Sequence, residues 1–207
     1  MWRLFYAKRF LHRGDRKDAE ILKKQLLSLR PLRTLRCIFV LAAGLFFAST
    51  ALADNLLTDK PTPTKGGAAI TLPKGWKTDD RGGSRNLLLA RAATSDKDNT
   101  GEFQTLFSLD AAQITKLDGH AQQTAVAKKC ENYRAVEEPT AITIGGVEGV
   151  MFGGTFTTGS VKLRSRQYLL LQDGRVYILT FTALESAWPI HAKAIEACAA
   201  SLTLPVQ

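Results

Sequence analysis

The chain has 207 residues, 45% of them hydrophobic, with three cysteines and a formal net charge of +9, a length that accommodates one domain or two small ones. The charge is unevenly shared: residues 1–53 carry 11 Lys and Arg against 3 Asp and Glu, and residues 54–207 carry 17 against 16. A nearly neutral second part offers phosphates no electrostatic footprint, so nucleic-acid binding is set aside for it.

Arg30, Arg33 and Arg36 run into the uncharged stretch 37–53, CIFVLAAGLFFASTALA, which is the order of the basic and apolar regions of a signal peptide. Ala51 and Ala53 suit a signal peptidase, and cleavage is expected between Ala53 and Asp54. The product is then periplasmic or secreted and keeps no permanent membrane anchor. An uncleaved inner-membrane anchor is the alternative, but these 17 residues fall short of the roughly 20 needed for a helical span. The 36 residues ahead of the apolar stretch exceed an ordinary basic region and favour a start site assigned too far upstream. A basic amphipathic helix over 15–30, with Ile21, Leu22 and Leu26 on one side, is the other reading.

Residues 54–67 mix Pro, Thr, Lys and Gly without an apolar period and are expected to be a flexible linker to one domain over 68–204. Strands are expected over 68–73, 85–93 and 102–109, with the turn formers TSDKDNTG between the last two. Asp118 is the expected N-cap of a first helix in which Val126, Cys130 and Tyr133 share a face. Four strands then follow closely, over 140–144, 147–157, 161–171 and 175–183. They are separated by Gly145-Gly146, Thr158-Gly159 and Asp173-Gly174, pairs that accommodate positive φ and favour hairpins. A closing helix, capped by Ser186 with Pro189 in its first turn, presents His191, Ile195, Cys198 and Leu202 on one face. The pattern is α+β, an antiparallel sheet of about six to seven strands flanked by helices.

Cys37 precedes the apolar stretch and is misplaced for lipidation. Cys130 and Cys198 are left as the pair of an exported domain and are expected to form a disulfide, which requires both helices on one sheet face.

Several segments together resemble the DcrB-like envelope proteins: Ile70-Thr71-Leu72-Pro73-Lys74-Gly75-Trp76, Ile142 to Gly149 with its Gly145-Gly146 turn, Asp173 to Thr180, and Ala200-Ser201-Leu202. The resemblance spans nearly all of 68–204 and implies the PsbP-like α/β/α sandwich. That fold serves several uses without a shared catalytic motif, so no catalytic residue carries over.

His120 and His191 stand in no metal-ligand spacing, and no phosphate loop or nucleophile motif is present. No catalytic, metal or cofactor-binding residue is therefore assigned, and no cofactor is expected. Lys162, Arg164 and Arg166 alternate along one strand and share a face. They form a candidate surface for an anionic ligand or partner, the competing reading being a solvated strand end. The expected role is that of an exported, non-enzymatic envelope protein binding a protein partner or small ligand. A periplasmic holdase for apolar segments is the alternative, and an envelope hydrolase the less favoured third.

Overall fold

The computed structural model describes residues 56–79, 86–114 and 116–205; the expected leader and the expected cleavage between Ala53 and Asp54 lie outside them. Its centre is a seven-stranded, wholly antiparallel sheet in the order β3-β4-β7-β11-β10-β9-β8. The strands are β3 (Lys77–Thr78), β4 (Asn86–Arg91), β7 (Leu106–Gln113), β8 (Glu131–Ile144), β9 (Val147–Thr158), β10 (Val161–Gln172) and β11 (Arg175–Leu184). Two short ladders accompany it, β1 (Thr62–Pro63) with β2 (Ala69–Ile70), and β5 (Asp96–Asp98) with β6 (Gly101–Phe103).

Strands β8 to β11 form a meander whose turns are dictated locally. Gly145 and Gly146 have φ of 58° and 82°, and Asp173 and Gly174 have 52° and 71°, the paired positive φ values that match the twist of a tight hairpin. Side chains alternate between the two faces. Leu170, Tyr177, Leu179 and Phe181 enter the larger core, where Phe107 and Phe181 stack with centroids 4.8 Å apart. Their neighbours Leu169, Val176 and Ile178 enter a second core on the other face.

Among the described residues each face receives one helix. Helix α2 (Trp188–Ala200) buries Trp188, Ile195, Cys198 and Ala199 in the larger core. Helix α1 (Gly119–Ala127) covers the other face, with Val126 against the second core. Asp118 caps α1 as expected, its carboxylate accepting from Ala121 N at 3.0 Å. At Gly119 the helix meets the sheet closely, since a Cβ there would lie 2.9 Å from Pro139 Cβ.

Several expectations are corrected. The first helix ends at Ala127, and Tyr133 lies in β8: Asn132 turns the chain at φ 53°, a conformation Asn tolerates, so the helical spacing of Val126, Cys130 and Tyr133 is coincidental. The expected linker enters the fold at Leu56. Thr58 N donates to Leu72 O and Lys74 N to Leu56 O, both at 2.9 Å, and Leu57 packs on the larger core. The turn formers at 94–101 contain β5. Ser186 does not cap α2; its hydroxyl donates to Asp98 Oδ2 at 2.6 Å.

Cys130 and Cys198 are not joined. Cys130 N donates to Val126 O at the end of α1, while Cys198 is buried under α2, so the sheet stands between them. Burial pushes the Cys198 thiol up to about 12, far from the reactive thiolate. Alkylation of the folded protein is expected to leave Cys198 unmodified, and unfolding without reductant to make both Cys130 and Cys198 reactive. A linked 130–198 peptide in the mass spectrum would overturn this arrangement.

Candidate functional site

Lys162, Arg164 and Arg166 do share a face of β10, the one covered by α2, but they do not form an open cationic shelf. Arg166 is 9% exposed. Its Nε donates to Glu137 Oε2 at 2.9 Å and its Nη2 to Glu137 Oε1, the bidentate fork that guanidinium and carboxylate geometry favour. Its Nη1 reaches Glu196 Oε1 of α2 at 2.8 Å and the Tyr168 hydroxyl at 3.4 Å. Arg164 Nη2 donates to the same Glu137 Oε1 at 2.8 Å. Both guanidiniums lie over the Trp188 ring, 4.8 and 5.5 Å from its centroid, within cation–π range. Of the three cations only Lys162 is exposed.

Glu137 reaches β10 across the intervening strand because position 153 has no side chain. Gly153 pairs with Glu137 on one side and Arg166 on the other, and a Cβ there would collide with the Glu137 carboxylate and lie 3.0 Å from Ser165 O. Burial alone would raise the Glu137 carboxyl, but the hydrogen-bonded Arg166 and the charge of Arg164 outweigh it and hold the group below its usual range. Two carboxylates thus balance two guanidiniums, with Glu137 held ionised. The cluster is suited to fixing α2 on the sheet, and a general acid or base working near neutrality would need a different environment.

A second polar group ties the β5–β6 hairpin to the start of α2. His191 Nε2 lies 2.8 Å from Asp96 Oδ2, which also accepts from Thr105 Oγ1 at 3.0 Å. The Ser186 hydroxyl, together with Thr100 and Gly101, holds the Asp98 carboxyl down at about 2. Ser186 donates to Asp98 and not to His191, so a nucleophile–base pair is not assembled. Among the described residues no three His, Cys, Asp or Glu side chains converge as metal ligands, and no helix is long and apolar enough to cross a membrane.

A concave feature among the described residues lies near their amino-terminal end. A shallow groove of about 790 Å³ runs between residues 58–63 and the turn into β3, with Leu72 and Trp76 on its wall and Lys60 and Lys77 among its lining residues. Gly75, at φ 79°, makes the turn, and Trp76 N closes it on Pro73 O at 3.1 Å. Trp76 is half-buried, leaning on the larger core while keeping part of its ring in the groove. The sequence placed an aromatic after this Pro/Gly turn but treated the other wall, residues 58–63, as linker.

No family model matches the chain, and no curated protein matches it either. Solved structures do. LpqN of Mycobacterium tuberculosis, described as involved in cell envelope biogenesis, superposes with a TM-score of 0.53 at 14% identity, over 74% of this chain and 94% of that one. The cyanobacterial PsbP protein CyanoP of Synechocystis gives 0.51 at 12% identity, over 73% and 94%. PA94 of Pseudomonas aeruginosa, a protein of unknown function, gives 0.50 at 15%, over 73% and 99%. The fold is therefore PsbP-like, an α+β sandwich with one helix on each face of an antiparallel sheet.

Proposed function

We propose that this chain is a non-enzymatic binding protein of the cell envelope, in the manner of the DcrB-like proteins, and that it engages a partner protein through the groove beside Trp76. The groove itself carries the reading: a half-buried indole and Leu72 give an apolar wall, and Lys60 and Lys77 outnumber Asp59 among the lining charges, a combination that takes an apolar side chain flanked by an acidic one. The envelope assignment is supported by the basic and apolar leader and by the similarity to LpqN, itself described as an envelope-biogenesis protein. The non-enzymatic assignment is supported by the chemistry of the polar clusters, which are spent on holding α2 and the β5–β6 hairpin.

A photo-crosslinking amino acid at Lys77, introduced in the native host, is expected to trap a discrete envelope protein. Trp76→Ala is expected to reduce that adduct at least tenfold. The same probe at the exposed Lys128, just after α1, should trap nothing comparable. Equal adducts at both positions, or none at Lys77, would remove the groove from consideration.

A further inference from the structure

The sheet ends in β8, and this edge is unequally defended. Between Glu131 and Thr140 its register against β9 shifts three times, and the segment carries Arg134, Glu137, Glu138 and Pro139. Two carbonyls there already have partners: Gln123 Nε2 donates to Glu137 O and Thr140 Oγ1 to Glu138 O, each at 3.0 Å. Bulges, charges and proline are the usual protection of an edge against strand addition. From Thr140 to Ile144 all three are missing. The sequence Thr-Ala-Ile-Thr-Ile is uncharged and rich in β-branched residues, its register against β9 is unbroken, and Thr140, Ala141 and Thr143 are exposed. The opposite edge, β3, is only two residues long.

The phase of the ladder follows from the Gly145-Gly146 turn. A two-residue hairpin closes on the hydrogen-bonded pair Ile144 and Val147, so Ile142 also bonds towards β9, and the N–H and C=O of Ala141 and Thr143 point away from the sheet. We propose that this edge pairs antiparallel with the same edge of a second copy, about a twofold axis through Ile142. Ala141 then exchanges both backbone bonds with the partner's Thr143, and Ile142 meets the partner's Ile142 on the α2 face.

The register is complementary in charge and in shape. No charged residue of the paired segments lies opposite another. Pro139 and Glu138 run past the partner's Gly145 and the partner's Gly146, where the strand ends and no side chain obstructs. A partner strand continuing further would meet the bulges and the proline, which limits the pairing to this short stretch and favours an isologous contact over an open chain of copies.

The whole chain, expressed with its own leader, is expected to show twice its monomer mass by light scattering. Thr143→Pro removes an outward N–H and leaves the β9 ladder intact, a change an edge strand tolerates, and is expected to return the mass to that of the monomer. Ile142→Cys in a Cys130→Ser background is expected to give an oxidised dimer, since Cα atoms of a facing non-hydrogen-bonded pair lie about 4.5 Å apart, within disulfide range. A protein monomeric at the highest concentration reached, or a dimer that Thr143→Pro leaves unchanged, overturns the proposal. If Thr143→Pro does not fold, the Ile142→Cys crosslink decides: its absence counts against the pairing.

Discussion

Glu137→Ala is expected to lower the unfolding free energy by about 3 kcal/mol, the low end for removing one partner of a buried ion pair. The low end applies because the Glu137 side chain retains 18% of its exposure, against 10% for Arg166. The loss comes less from the missing attraction than from two guanidiniums left beneath Trp188, with Glu196 alone to balance them. Urea unfolding followed by far-UV circular dichroism measures it. Replacing Glu137, Arg164 and Arg166 together by Leu and Met should recover most of the deficit, because well-packed apolar groups often match a buried ion pair. A loss as large in the triple variant as in the single one would show that unpaired charge is not its cause.

The same cluster sets a pH dependence. The Glu137 carboxyl is held below its ordinary value of 4.5, so its contribution is fully present above that pH and is lost as pH falls through the lower, folded-state value. The gap between wild type and Glu137→Ala is therefore expected to narrow below about pH 4.5. A gap that stays constant into stronger acid would contradict the assignment.

Trp188→Ala is expected to cost about 4 kcal/mol, within the range for truncating a buried large aromatic residue. Trp188 is 3% exposed at the first position of α2, and both arginines rest on its ring. Its removal opens a cavity and takes away the surface on which the guanidiniums are desolvated. Trp188→Phe, which keeps an aromatic face in a smaller volume, should recover roughly half of the loss. Chemical unfolding by circular dichroism distinguishes the three proteins, and a Trp188→Ala deficit under about 1 kcal/mol would place the indole outside the structural centre.

The meander from β8 to β11 was legible in the sequence because its signals are local: glycine-containing pairs at the turns and strands of the right length between them. The Asp118 cap and the buried face of α2 were legible for the same reason. The start of β8 was not, since Val126, Cys130 and Tyr133 happen to fall at helical spacing and only the Asn132 turn breaks it. The arginine cluster shows the deeper limit. Alternation correctly put Lys162, Arg164 and Arg166 on one face, but their counter-ion is Glu137, two strands away, and its sole trace in the sequence is a glycine at 153. The unbridged cysteines follow from layer assignment, which spacing does not contain. The groove wall at 58–63 was obscured because Pro and Thr at an irregular ladder read as linker.

The strand order fixes a timetable for folding. Each strand from β8 to β11 finds its neighbour across a short turn, whereas β7 lies beside β11, which comes after α1 and three further strands. A chain that emerges amino terminus first therefore presents Phe107 and Leu109 well before Phe181 and Leu179 exist to cover them. Such non-local pairing slows folding and leaves sticky intermediates. The amino-terminal strands can become permanent parts of the sheet only when β11 arrives, so a chain cut short before Arg175 would lose the strand that joins the two halves.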